Sequence, residues 1–285
     1  MYKIKTFNNI SDKGLSRLPS TDYDINPDHE TPDAIILRSY KLHDYPVPDS
    51  LVAVGRAGAG TNNVPVAEMS EKGIPVFNAP GANANAVKEL VIAGMLLSCR
   101  NICQAWDYAR NVEGTAEEQN RAVEDGKKKY VGYELPGRTL GVVGLGAIGV
   151  YVANAAIALG MRVIGFDPTI TVKSAWKMSS EVQEMPTIDE LIKQSDFVTF
   201  HVPMLESTKN LLNAKRIANM KKGAVVLNFA RDGVVDDEAV LKALDDGKLG
   251  AYVCDFPAQN LKGHSKVIAL PHLGASTAEA EENCA

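Results

Sequence analysis

Short apolar runs, bounded by Gly, Pro or Asp, alternate along the chain with longer stretches in which apolar positions recur at helical spacing. Continuous apolar runs read as strands buried on both faces, and the 3.6-residue spacing reads as helices packed against them. In the first part, Tyr2–Phe7, Ala34–Leu37, Leu51–Gly55 and Pro75–Phe77 read as strands, and Pro65–Lys72 reads as a helix closed by Gly73. A continuous helical pattern then runs from about Asn85 to Arg110. The highly charged stretch Glu113–Lys129 reads as a solvated helix with loops. Leu140–Val143 and Arg162–Phe166 read as strands separated by a helix, Val150–Leu159, that Gly160 closes. Phe197–Val202, Ala224–Phe229, Gly250–Cys254 and Val267–Leu270 supply further strands. Thr187-Ile188-Asp189-Glu190 is a capping-box pattern, and Asp236 is placed to cap the helix before the strand at Gly250. Regular alternation of strand and helix predicts parallel sheets built from βαβ units. Asn78-Ala79-Pro80-Gly81 interrupts the pattern, so one domain is expected over 1–82 and another over 83–271.

Between the strand ending at Val143 and its helix stands Gly144-Leu145-Gly146-Ala147-Ile148-Gly149, and the next strand ends in Asp167. A lone GxGxxG is weak. Set between strand and helix, with an acid about 20 residues on, it is the dinucleotide-binding fingerprint. Gly144 allows the tight turn, Gly146 lets a pyrophosphate approach the backbone, and Gly149 lets helix and strand pack closely. The helix N-terminus offers free N–H groups and a positive dipole end to the phosphates. Asp167 would accept from the ribose hydroxyls and repel a 2′-phosphate, which favours NAD over NADP.

Composition narrows the class. At 285 residues the chain holds roughly two domains, and 45% apolar with 23% charged residues is ordinary for a globular protein. A net charge of −5 argues against a broad nucleic-acid face, so an anionic ligand needs a local positive pocket. No apolar run reaches membrane-spanning length, and the polar start MYKIKTFNNI is unlike a signal peptide. Cys99, Cys103, Cys254 and Cys284 lack disulfide-framework spacing, which points to a reduced, cytoplasmic protein. No metal site is expected, since Cys99 and Cys103 share an apolar helix with no histidine near.

Four further segments carry a resemblance: Gly55-Arg56-Ala57-Gly58-Ala59-Gly60-Thr61-Asn62-Asn63, Asn78-Ala79-Pro80-Gly81, Asn228-Phe229-Ala230-Arg231-Asp232-Gly233 and Pro271-His272-Leu273-Gly274-Ala275-Ser276-Thr277. With the fingerprint between them, the chain from about Ile35 onward resembles the D-2-hydroxyacid dehydrogenases, and among them the D-3-phosphoglycerate dehydrogenases. The resemblance implies an α/β fold of two doubly wound parallel sheets. A Rossmann NAD domain would be inserted in a flavodoxin-like substrate domain, to which residues 272–285 return. It implies oxidation of a small anionic 2-hydroxy acid to the 2-keto acid, in the phosphoglycerate branch the step that leads to serine. His272 is the implied acid/base, a role suited to imidazole, whose ordinary pKa lies near 6.5. Arg231 would hold the substrate carboxylate with its planar fork. Gly58, Ala59 and Gly60 would bind the carboxylate through backbone N–H groups as an anion nest. Arg38 and Ser39 match where a substrate phosphate is held, and Lys127, Lys128 and Lys129 are candidates to help from a partner subunit. For the cofactor, Ala147 and Ile148 would lie over the pyrophosphate, Val202 and Pro203 beside the adenosine, and Phe229, Ala230 and Asp255 around the nicotinamide. Gly274 and Ala275 would close the site. The family dimerises through the nucleotide domain, so a homodimer or homotetramer is expected, the apolar surplus in the long helix (Ile92, Met95, Leu96, Leu97, Ile102) being its counterpart.

Three positions depart from the family pattern. Ala147 stands where an arginine is frequent, and Ala59 where a threonine is. More consequentially, the family's histidine-partnering glutamate falls at Asn260, or at Gln259 with a one-residue shift. After Pro271–Ala275 only Thr277–Ala285 remain of a segment that in the family returns to the substrate domain and often continues into a regulatory domain. Two rival functions stand beside phosphoglycerate oxidation: a hydroxypyruvate or glyoxylate reductase, and a nicotinamide-sensing protein without catalysis.

Overall fold

A computed structural model describes all 285 residues. The chain divides into two compact units, Met1–Ala86 with Ala275–Ala285, and Val87–Gly274. The crossings lie at 86/87 and 274/275, against 82/83 and 271/272 in the sequence reading.

The smaller unit holds five parallel strands: β1 (Tyr2–Phe7), β2 (Tyr23–Ile25), β3 (Ala34–Leu37), β4 (Ala53–Arg56) and β5 (Val76–Asn78). Their order is β2-β1-β3-β4-β5. Ile35, Leu37, Val54 and Met69, all fully enclosed, form the centre of its core. Strand order reverses between β1 and β3, so the loops after these strands leave the sheet beside a topological switch point. The sequence pattern does not show β2, a three-residue edge strand too short to carry a period of two.

The larger unit holds β6 (Thr139–Val143), β7 (Arg162–Phe166), β8 (Gln183–Glu184), β9 (Phe197–Phe200), β10 (Ala224–Asn228), β11 (Leu249–Cys254) and β12 (Val267–Ala269). All pairings are parallel, in the order β12-β11-β10-β9-β6-β7-β8. Along β10 the side chains alternate between two cores: Ala224 and Val226 join one, Val225 and Leu227 the other. That explains why β6, β9 and β10 are buried at every position, polar Thr139, Thr199 and Asn228 included: both faces are covered.

Two helix readings change. The pattern from Asn85 to Arg110 is two helices, Ala84–Cys99 and Ile102–Arg110, broken where Asn101 takes φ 51°. At the break the Cys99 carbonyl accepts from Tyr133 N at 2.9 Å rather than from the next helical turn. Gly132 passes so close that a Cβ there would lie 2.2 Å from the same oxygen. A tertiary contact therefore ends a helix whose local sequence would continue it. The helix after β6 starts at Ala147, three residues before the sequence reading, because its first turn carries the last fingerprint glycine. Within Glu113–Lys129 a helix, Ala116–Gly126, is capped by Thr115 and Glu118 in a reciprocal capping box. All four cysteines are free, and no helix is long and apolar enough to cross a membrane.

Candidate active site

Because every strand of the larger sheet is parallel, the loops after β6, β7, β9, β10, β11 and β12 leave one common edge. The order reverses at β6, between β7 and β9, and there the Gly144–Gly149 loop turns into its helix. Gly144 has φ 93°, and a Cβ on Gly149 would lie 1.9 Å from the Gly144 carbonyl, so strand and helix meet at the closest approach that glycine permits. A Cβ at Gly146 would meet nothing within 4 Å, and the N–H groups of Gly146, Ala147 and Ile148 have no acceptor in the chain. Open space faced by unpaired donors at a helix N-terminus fits a pyrophosphate. Asp167, at the end of β7, accepts from Leu145 N and Thr169 N, both at 2.8 Å, so its carboxylate is fixed beside the loop with lone pairs to spare.

After β9 come His201, Val202 and Pro203. The His201 ring bonds Thr199 Oγ1 through Nε2 at 3.0 Å, and its Nδ1 is enclosed without a partner. Burial pushes its pKa down to about 3. The folded state thus holds this imidazole neutral while the unfolded chain protonates it near pH 6.5. The sign follows: below pH 6.5 the unfolded state binds the extra proton, so stability falls as pH drops from 6.5 towards 3. We expect a loss of about 2 kcal/mol between pH 7 and pH 5 in denaturant unfolding, largely absent in His201→Asn.

Phe229 and Ala230, after β10, point into the two cores, so only their backbone is available to a ligand. Asn228 steadies this turn from both sides, its Oδ1 accepting from Ala230 N at 3.2 Å and its Nδ2 donating to Arg231 O at 3.0 Å. The Arg231 guanidinium donates to Ala230 O at 2.6 Å and meets no carboxylate of the chain. It is half-buried, and burial lowers its pKa. A desolvated guanidinium without a counter-ion is a demand for an anion.

Asp255, after β11, is buried, and its oxygens accept from Leu273 N and Gly274 N, each at 2.7 Å. Burial raises its pKa, while those two N–H groups and the nearby His272 pull it back. The clamp holds the loop in which His272 takes φ 56°, a left-handed conformation uncommon for a non-glycine residue. The imidazole itself is exposed, packs on the Phe256 ring at 5.2 Å, and makes no hydrogen bond. Gln259 and Asn260 lie exposed on a single 3-10 turn, and neither bonds the imidazole. Asp255 is the carboxylate that holds the loop carrying His272. The sequence reading places Asp255 at the nicotinamide and does not foresee the clamp. Its one local sign is an acid directly after a wholly apolar strand.

The smaller unit gathers the remaining residues at the carboxyl edge of β3 and β4. Asn8, with φ 66°, accepts from Ser39 N and Tyr40 N at 3.0 and 2.9 Å and so shapes the turn after Arg38. In the next loop Gly58 has φ 146°, and a Cβ there would fall 1.6 Å from Arg56 Nη1. The carbonyls of Gly58 and Ala59 are tied to Ala79 N and Asn78 Nδ2 at 2.9 and 2.7 Å. The N–H groups of Gly58, Ala59 and Gly60 have no acceptor in the chain. Carbonyls fastened away and amides left open make an anion nest. Arg38 pairs with Glu281, and Ala275 accepts from it, neither contact being foreseen. Of the lysine run, Lys127 and Lys128 pair with Glu124 and Asp125 on the preceding helix, as solvated charges do.

Comparison with known proteins follows the same lines. Residues 92–274 match the family model of the D-isomer specific 2-hydroxyacid dehydrogenase, NAD binding domain. The D-3-phosphoglycerate dehydrogenase of Bacillus subtilis is 37% identical over 303 residues, covering 100% of this chain and 55% of its own length. The hydroxypyruvate reductase of Thermotoga maritima is 38% identical over 242 residues, 81% of this chain and 73% of its own. Among solved structures, the holo form of Rhodotorula graminis D-mandelate dehydrogenase superposes with a TM-score of 0.85 at 24% identity, covering 99% of this chain and 91% of that one. The chain belongs to the D-isomer specific 2-hydroxyacid dehydrogenase family, and its larger unit is that family's NAD-binding domain. It spans about half the length of the phosphoglycerate dehydrogenases it matches.

Proposed function

We propose that this protein is an NAD-dependent dehydrogenase that oxidises D-3-phosphoglycerate to 3-phosphohydroxypyruvate, the step that leads to serine. The observation that carries the reading is the half-buried Arg231, which has no carboxylate of the chain to pair with. Its fork would hold the substrate carboxylate and lean on the C2 oxygen, favouring the carbonyl that forms there. The open amides at Gly58–Gly60, in the smaller unit, form a nest of the kind that takes an anion. His272, in its clamped loop, takes the C2 hydroxyl proton as general base and returns it in the reverse reaction. NAD, when bound, accepts the hydride. Asp255 acts through the loop, by fixing where the imidazole stands. Arg38 would meet the phosphate, remote from the reacting carbon.

A specific observation favours the rival reading of an unphosphorylated substrate: Arg38 is already paired with Glu281. The two separate in one assay of NADH formation on 3-phosphoglycerate and D-glycerate. The proposal expects kcat/KM at least about a hundred-fold higher for the phosphorylated acid, as two or more charge-assisted hydrogen bonds supply. Equal values would assign the protein to reductases of the hydroxypyruvate type. No NADH from either acid, or from the reverse reactions, would leave nicotinamide sensing.

We also infer a homodimer or a multiple of one. Met95 is buried in the chain's own core and is not free for a partner, while Ile92 and Leu97 are partly buried against that core. Leu96, Ile102, Trp106, Val123 and Val131 remain exposed on the same stretch of chain. Light scattering at micromolar concentration should give twice the chain mass or more. A monomer would refute it.

A further inference from the structure

The segment Ala278–Cys284 forms a helix in the smaller unit, seated against the helix Asp12–Leu15. A Cβ on Gly14 would lie 2.5 Å from the Ala285 backbone, which measures how closely the two pack. Two ion pairs fix the helix, Lys13 with Glu282 and Arg38 with Glu281. In the second, Arg38 Nη1 lies 2.5 Å from Glu281 Oε1, while Nη2 donates to Ala275 O at 3.3 Å. Arg38 leaves the sheet directly after β3, and Arg56 ends β4 opposite Leu37 in register. Both guanidinium charges reach the Cys284 thiol, three residues beyond Glu281, against the burial that pushes that thiol up. The helix thus turns a face bearing Glu281 towards a pair of arginines at the sheet's carboxyl edge.

We propose that Glu281 is a specificity-determining residue whose carboxylate stands on Arg38 where a substrate phosphate would bind, so that a dianion displaces it and a neutral tail does not. This inference rests on the reading that Arg38 meets a phosphate. The charge balance favours the exchange. A carboxylate brings one negative charge and here one short contact, whereas a phosphate near neutral pH carries nearly two charges and three acceptor oxygens. Glu281 is also well placed to withdraw, its side chain being 43% exposed against 27% for Arg38, so water can solvate the released carboxylate. An unphosphorylated acid never engages Arg38 and leaves the pair intact. Glu281 therefore taxes phosphorylated substrates selectively and keeps a half-buried guanidinium paired between turnovers.

Steady-state KM for 3-phosphoglycerate and for D-glycerate, measured on the whole protein, tests this in the native form, Glu281→Gln, Arg38→Ala and the double variant. Glu281→Gln should lower KM for 3-phosphoglycerate relative to D-glycerate by about five-fold, the scale of a part-exposed ion pair, with kcat on 3-phosphoglycerate little changed. In the Arg38→Ala background the same substitution should no longer alter that ratio. Inorganic phosphate, as a competitive inhibitor, gives a second reading, its inhibition constant falling by a similar factor in Glu281→Gln. Glutamine still accepts a hydrogen bond from Arg38, so the thermal midpoint should stay within about 3 °C. A KM ratio unmoved by Glu281→Gln, or moved equally without Arg38, overturns the inference alone. If Arg38→Ala fails to distinguish the two acids, the phosphate reading of the site fails first, and the inference falls with it.

Discussion

His272→Ala is expected to lower kcat for oxidation of the 2-hydroxy acid by about a thousand-fold, within the range measured for loss of a general base. NAD affinity should change by less than about two-fold, because in the proposed site the open amides of the loop after β6 would meet the cofactor's phosphates and the side chain at 272 would not. The imidazole has no hydrogen bond inside the chain, so its removal leaves no buried partner unsatisfied. Its backbone conformation is imposed by Asp255 acting on Leu273 N and Gly274 N, contacts that alanine at 272 leaves in place. Loss of activity with retained NAD binding and retained folding would therefore isolate proton transfer. Wild-type turnover in the alanine variant would remove His272 from the chemistry.

The second large effect is at Arg231. Arg231→Ala should cost about a thousand-fold in kcat/KM, since truncating one side of a desolvated charge pair costs about 2–5 kcal/mol. Arg231→Lys separates charge from shape. Lysine keeps the charge but not the bidentate fork, so a loss of about a hundred-fold is expected even there. Because the guanidinium is half-buried and meets no acid of the chain, alanine should also leave the fold at least as stable as before in thermal melts. A marked fall in melting temperature would instead give Arg231 a structural role. Recovery of activity on adding free guanidinium ion to Arg231→Ala would tie the effect to the missing group.

Much of the fold is legible from periodicity alone. β1, β3 and β7 agree with the sequence reading residue for residue, even though β1 carries Lys3 and Lys5 and is largely unburied. Short edge strands escape: Gln183-Glu184 pairs with β7 and bears no apolar signal. The break at Asn101 escapes because its cause, the approach of Gly132 and Tyr133 to the Cys99 carbonyl, lies some thirty residues away in sequence. At the candidate site, the glycine loop and Asp167 declare themselves by spacing. The supports are less visible: Asn8 under Ser39, Asp255 under the loop that carries His272, and Glu281 against Arg38 are contacts between a loop and a distant segment, while Asn228 ties the turn that carries Arg231 locally. No local rule in a single sequence says which backbone N–H an asparagine or aspartate will find.

In the proposed reaction the chain moves a hydride from C2 of a 2-hydroxy acid to NAD while His272 takes the hydroxyl proton. Deuterium at C2 of 3-phosphoglycerate tests it most directly. Mass spectrometry of the reduced cofactor should find one deuterium per NADH formed in the native protein, with formation of labelled NADH about a thousand-fold slower in His272→Ala. NADH without label, or labelled NADH formed at the native rate by the alanine variant, would contradict the account.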